Sequence, residues 1–192
     1  MALTAGVVFL HECIILDACC IINLYASRQF GNILEAIPAS VAVATYVREE
    51  EALKIYGGPA EDVMQKEEQI DLQPFIDRGL LLPVSPESEA ENVTYVNFAA
   101  SLDDGEAITG AIAVQRNWAI GSDDRRAISF FAKEAPQLQR ISTLELMKHW
   151  VDSTSLPADV VRSALRNVRF RAKYVPHSRH PLFHWWRTYM ES

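Results

Sequence analysis

Cys13-Ile14-Ile15-Leu16-Asp17 is the stretch that decides the fold. Four apolar residues in a row read as a short strand buried on both faces, and the strand ends in a carboxylate. Residues 18–27 then take a helical pattern, so Asp17 stands where a strand hands over to a helix. The same arrangement returns downstream. Trp118 to Gly121 is a short apolar run, Ser122-Asp123-Asp124 follows, and the helical pattern resumes from Asp124 to Lys133. Leu80 to Val84, bounded by Pro83 and Pro86, and Gln139 to Ser142 read as further strands. Short apolar strands alternating with helices predict an α/β fold, a mainly parallel sheet of four to five strands sandwiched by helices. In such sheets ligands bind beyond the carboxyl ends of the strands, where Asp17 and Asp123-Asp124 fall.

The remaining segments are helical in pattern. Phe30 to Ile37 is stopped by Pro38, and Val43 to Tyr56 is ended by Gly57-Gly58-Pro59. Residues 60–70 predict an exposed helix, Pro74 to Arg78 a helical turn capped by Gly79, and Glu87 to Leu102 an amphipathic helix. Asp104 to Arg116 carries Ala107, Gly110, Ala111 and Ala113, small residues suited to close helix packing. Thr143 to Val151 is capped by Ser142 or Thr143. Pro157 opens a last helix reaching about Phe170. No repeat or low-complexity segment interrupts the chain. The division expected is a body over 1–150 and a basic, aromatic-rich extension over 151–192.

The chain has 192 residues, 49% of them apolar, enough for one ordinary core. The apolar runs are too short to span a bilayer, and the first six residues lack a basic leader, so a cytoplasmic protein with no membrane contact is expected. Cys13, Cys19 and Cys20 do not form a disulfide framework or a zinc spacing; buried thiols are expected. The net charge of −7 argues against non-specific coating of nucleic acid. That charge is uneven. Residues 151–192 hold seven basic residues against three acidic, a net +4, which leaves −11 on the rest.

Four acidic clusters stand out: Asp17, Glu49-Glu50-Glu51, Asp103-Asp104-Gly105-Glu106, and Asp123-Asp124. Taken singly, each has an ordinary explanation. Asp17, Asp103 or Asp104, and Asp123 or Asp124 can cap helices, and Glu106 suits a helix first turn. Glutamates 49 to 51 point in three directions on a helix, so one or two at most can face a site. Glu51, and next to it Glu49, border the apolar face set by Val47 and Leu53. Gathered at one end of a sheet, such carboxylates would repel one another unless a cation held them. Hard Mg²⁺ or Mn²⁺ is the natural choice for oxygen ligands. Arg125 and Arg126 beside the last pair are suited to touching a phosphate.

In this order and placement, the segments Ile14-Ile15-Leu16-Asp17-Ala18, Glu49 to Glu51, Leu102-Asp103-Asp104-Gly105-Glu106-Ala107 and Gly121-Ser122-Asp123-Asp124-Arg125-Arg126-Ala127 resemble the PIN-domain nucleases, among them the VapC-like toxins. The resemblance covers about residues 13 to 150; residues 57–72 look like an insertion and the C-terminal extension lies outside it. It implies a PIN-like fold and Mg²⁺- or Mn²⁺-dependent cleavage of RNA. Asp17 takes the position of the first acid and Glu51 or Glu49 the second. Glu106, with Asp104 the alternative, takes the third. Asp124 or Asp123 takes the fourth, with Ser122 at the small hydroxyl position. Asp17, Glu51, Glu106 and Asp124 are thus the expected catalytic metal ligands, and Ser122, Arg125 and Arg126 the expected substrate contacts. An antitoxin partner would place a basic side chain among the carboxylates.

The extension admits two readings. Arg162, Arg166 and Arg169 form a stripe at helical spacing, followed by Phe170, Tyr174, Phe183, Trp185 and Trp186, which suits single-stranded RNA. Alternatively the aromatics pack on the acidic body or on a second copy, and an exposed Trp185-Trp186 pair would favour a homodimer. Two other functions compete with the ribonuclease. A non-cleaving PIN-type RNA-binding or scaffolding protein would not need all four acidic positions filled. A phosphatase of the haloacid dehalogenase class would need an aspartate where Cys19 stands.

Overall fold

A computed structural model describes residues 6–51, 53–57 and 66–191. The elements run β1 (Cys13–Leu16), α1 (Ala18–Ala26), α2 (Phe30–Ala36), β2 (Ser40–Ala44), α3 (Thr45–Glu50), β3 (Lys54–Tyr56), β4 (Glu67–Gln69), α4 (Gln73–Asp77), β5 (Leu82–Val84), α5 (Glu89–Ala99), α6 (Asp104–Gln115), β6 (Ala119–Gly121), α7 (Arg125–Glu134), β7 (Arg140–Ile141), α8 (Thr143–Thr154), α9 (Ala158–Arg171) and α10 (Phe183–Met190). Five strands form one sheet in the order β5-β2-β1-β6-β7, and every pairing in it is parallel. The protein is therefore an α/β fold with a parallel sheet flanked by helices. All four residues of β1 are buried, as a central strand covered on both faces requires.

The strand order explains where the site opens. From β1 the chain moves one way through the sheet, to β2 and then β5; from β5 it crosses back and continues the other way, through β6 to β7. Right-handed crossovers then place α1 and α2 on one face and α5, α6 and α7 on the other. Consistently, α6 packs on β1, β2 and β6 with α5 stacked against it, while α1, α2, α8 and α9 pack among themselves. The connections leave β1 and β6 in opposite directions, so a crevice opens beyond the carboxyl ends of these two strands. The strands approach closely there. Leu16 pairs with Gly121, and a Cβ at 121 would meet Leu16 Cδ2 at 2.6 Å, so any larger residue would have to push the buried Leu16 side chain aside.

Three expectations from the sequence differ from the structure. The helix expected over 43–56 is a strand, a short helix and a second strand. Val41 to Ala44 are buried as β2 between β1 and β5; α3 ends at Glu50; and Lys54–Tyr56 pairs antiparallel with Glu67–Gln69. Of the helix expected over 60–70, residues 67–69 form β4, and 60–65 lie outside the described residues.

The Trp185-Trp186 pair is not an exposed patch. Trp186 is buried and stacks on Phe183, with centroids 5.9 Å apart. Trp185 is half-buried beside Tyr189 and the Lys148 ammonium. The exposed-aromatic argument for a homodimer therefore falls.

The extension packs on the body. Val161, Ala164, Leu165 and Val168 recur at helical spacing on α9 and join the same core cluster as β1 and α1. Arg171, also buried, donates to the Tyr56 carbonyl at 3.3 Å and pairs with Glu68 at 2.8 Å. Among the described residues no helix is long and apolar enough to cross a membrane.

Candidate active site

Asp17 occupies the N-cap position of α1, yet its side chain makes no capping hydrogen bond. Its backbone N–H donates to the Gly121 carbonyl at 2.9 Å, continuing the β1–β6 ladder one residue past the strand. That pins the residue at the crevice and turns the carboxylate into it. There Oδ2 accepts from the Ser122 hydroxyl at 2.7 Å and from the Cys19 thiol at 3.3 Å. Asp17 is 4% exposed, and burial raises its pKa above the ordinary carboxylate value against the pull of those donors. Ser122 is buried, so it positions Asp17 from behind and offers no surface to a substrate.

Glu106 is set by a capping box at the start of α6. Asp103 Oδ1 accepts from the Glu106 N–H at 2.8 Å, and Glu106 Oε2 accepts from the Asp103 N–H at 3.4 Å. Burial, then the negative charges of Asp103 and Asp124, push the Glu106 carboxyl up to about 7. Of the three glutamates following Arg48, Glu49 and Glu50 are exposed on α3, and Glu51 is the one that joins the cluster. It does so because the chain leaves the helix at that residue, where φ is −87° and ψ 143°. Its Oε1 lies over Gly105, where a Cβ would overlap it, so the glycine of Asp-Gly-Glu is what admits the carboxylate. Burial, then Asp17, Asp103 and Glu106, push Glu51 up to about 7. No hydrogen-bond donor reaches the Glu51 carboxylate among the described residues.

Asp124 caps α7, its Oδ1 accepting from the N–H of Arg126 at 2.8 Å and of Ala127 at 2.9 Å, and its charge acts on Glu106. Asp17, Glu51, Glu106 and Asp124 are thus brought to one crevice, with Asp103 among them. Asp103 was read from the sequence only as a cap, although the Asp-x-x-Glu spacing of a capping box was visible there. Its negative charge raises Asp17, Glu51 and Glu106 alike.

Three expected contributors point elsewhere or are fully engaged. Asp104 is exposed and accepts from the Tyr95 hydroxyl at 2.9 Å and the Tyr46 hydroxyl at 3.4 Å, on the outer side of α6. Asp123 lies beside the cluster but is saturated. Its Oδ1 accepts from the Thr143 N–H at 3.1 Å and the Tyr174 hydroxyl at 3.2 Å; its Oδ2 accepts from Asn23 at 2.9 Å and from the Thr143 hydroxyl. Burial nevertheless raises its pKa, and these four donors oppose the rise. Asp123 therefore ties α1, α8 and the extension together behind the site. Arg126 is exposed but donates to the Ser101 carbonyl, tying α7 to the end of α5. Arg125 is exposed and forms no ion pair among the described residues.

The donor set fits a hard divalent cation. It consists of carboxylates, three of them with raised pKa values, and Arg125 and Arg126, which follow Asp124, are exposed. Among the described residues no three acidic, histidine or cysteine side chains stand close enough to share one ion as placed. No family model matches this chain, and no match is found among curated proteins or solved structures.

Proposed function

We propose that this protein is a metal-dependent ribonuclease of the PIN-domain type, cutting RNA phosphodiester bonds at the crevice beyond β1 and β6. The observation that carries the reading is the pair Glu51 and Glu106, pushed up to about 7 by burial and by like charges at the switch point of a parallel sheet. Carboxylates withdrawn from water and raised by further carboxylates, with no basic side chain paired to them among the described residues, are the marks of a site arranged for something other than stability. The choice of RNA rests on the resemblance of the four acidic segments.

When bound, Mg²⁺ or Mn²⁺ would supply an activated water and positive charge opposite the phosphate. Asp17, Glu51, Glu106 and Asp124 would hold it. Ser122 and Cys19 fix the rotamer of Asp17, the capping box fixes Glu106, and Gly105 leaves room for Glu51. Arg125, exposed and without an ion pair among the described residues, would meet a phosphate.

Cleavage of a mixed RNA pool with Mn²⁺ or Mg²⁺ tests the reading, with EDTA and Asp17→Asn as controls. Asn keeps an acceptor for Ser122, so the fold should persist while the rate falls on the order of 100-fold or more. An Asp17→Asn protein that cuts as fast as the unaltered chain would sink the assignment. A protein that binds RNA and never cuts it would be the scaffolding alternative.

A further inference from the structure

The segment after α9 builds the wall of a second compartment. Beside Asp123 and Asp124 lies a groove of about 610 Å³, within the ~300–1,000 Å³ usual for small-ligand sites. Ile22, Ile128 and Val175 give it apolar surface, and Arg125, Lys173 and His177 line it with donors. Residues 172–180, from the basic extension, form one side; α1 and the start of α7 form the other.

This wall is held in place. Tyr174 donates to Asp123 at 3.2 Å. His180 Nδ1 accepts from the Leu182 N–H at 3.0 Å, which leaves its Nε2–H to donate to the Ser142 hydroxyl at 2.9 Å. His180 is thus an anchor onto the start of α8. His177 differs: its Nδ1 accepts from the Arg179 N–H at 3.1 Å, and the ring is exposed, so its Nε2–H is available. The Lys173 ammonium lies 3.5 Å from the Tyr56 ring centroid and has no carboxylate partner among the described residues. The groove therefore sets Arg125, Lys173 and His177 and an apolar surface beside the carboxylates of Asp123 and Asp124.

We propose that this groove binds the nucleotide flanking the scissile bond of a single-stranded RNA. Arg125 and Lys173 meet the adjoining phosphates, and the base or sugar rests on Ile22, Ile128 and Val175. The inference rests on the ribonuclease reading and deepens it. A polyanion entering an acidic crevice needs positive charge at a neighbouring phosphate to be drawn in and kept in register, and the extension supplies it. Of the competing grip, the Arg162–Arg166–Arg169 stripe, Arg162 and Arg166 line a different pocket on α9.

The test is binding of a short fluorescent oligouridylate to the full chain in EDTA, read by anisotropy over a salt series. Chelation keeps cleavage out of the measurement, so the groove is judged even if the nuclease reading fails. Lys173 has φ 53°, so asparagine is the replacement that tolerates the backbone. The Arg125→Gln/Lys173→Asn double variant should bind about tenfold more weakly. Its salt dependence should be shallower by roughly 1.4 logarithmic units, the value for two lost phosphate contacts on a single strand. Binding within twofold of the unaltered chain overturns the proposal. So does loss of binding on Arg166→Gln/Arg169→Gln with the groove variant unaffected, which would move the grip to α9. A groove variant that loses affinity for a polyglutamate peptide but keeps it for the oligouridylate also overturns it, in favour of an acidic protein partner.

Discussion

Glu91 and Glu106 occupy the same local motif and have opposite fates. Each is the third residue of its helix and closes a capping box, with Ser88 on α5 and Asp103 on α6. Both are buried, at 3% and 9% exposure. Burial alone would raise both. At Glu91, however, the Arg116 guanidinium lies 2.6 Å away, and the N–H groups of Glu87 and Ser88 also donate, so the carboxyl drops to about 2. At Glu106 the neighbours are Asp103, Asp124 and Asp17, and the carboxyl rises to about 7. A helix cap is thus common to a structural carboxylate and to a candidate catalytic one. What separates them is the sign of the charge brought near by the rest of the fold.

The widest separation should come from removing the cation on the structural side. Arg116→Met leaves Glu91 buried without its partner and should cost about 3 kcal/mol in denaturant unfolding. A cost under half of that would mean the backbone donors alone hold Glu91.

The two regions should next part in their pH dependence, measured in EDTA. Glu51 and Glu106 titrate near 7 when folded against an ordinary 4.5. Between those values the folded chain keeps protons that the unfolded chain has released. Their contribution to stability is therefore fullest below 4.5 and is lost as pH rises through 7. Glu91 runs the other way: its contribution is present above 4.5 and is lost as pH falls through about 2. Melting temperatures from pH 5 to 8 should fall without metal, and a flat or rising profile would break the contrast.

Smaller still, Glu106→Gln keeps the capping-box acceptor and removes one repelling charge, so the metal-free protein should gain about 1 kcal/mol. The matching Glu91→Gln change should lose stability instead.

The smallest effect on stability belongs to Gly105→Ala. A helix gains up to ~1 kcal/mol from alanine, but the new Cβ must displace the Glu51 carboxylate. Cleavage should drop roughly tenfold while unfolding barely changes.

Much of this was legible in the sequence, for local reasons. β1 and β6 show as short apolar runs ending in polar residues, which also located Asp17 and Asp124. β2 was hidden because Val41–Ala44 runs into α3 with no turn residue between them, so strand and helix merged into one pattern. β4 carries no apolar residue, and only its pairing with β3 makes it a strand. Helical periodicity singled out Glu51 for the wrong reason: it reaches the crevice by leaving the helix. Asp104 and Asp103 are adjacent and chemically alike, and only Tyr46 and Tyr95 divert Asp104 outward. The saturation of Asp123 depends on residues 23, 143 and 174, whose meeting no local pattern announces.

The most direct measurement is the melting temperature at pH 7 with and without Mn²⁺, for the unaltered chain beside Glu106→Gln and Asp17→Asn. If the crevice carboxylates hold the ion, saturating Mn²⁺ at about 100 times its Kd should stabilise the unaltered chain by ~2.7 kcal/mol. That is a rise of several degrees, and both variants should lose most of it. No rise in the unaltered chain, or an equal rise in all three proteins, would contradict the claim that these carboxylates form a metal site.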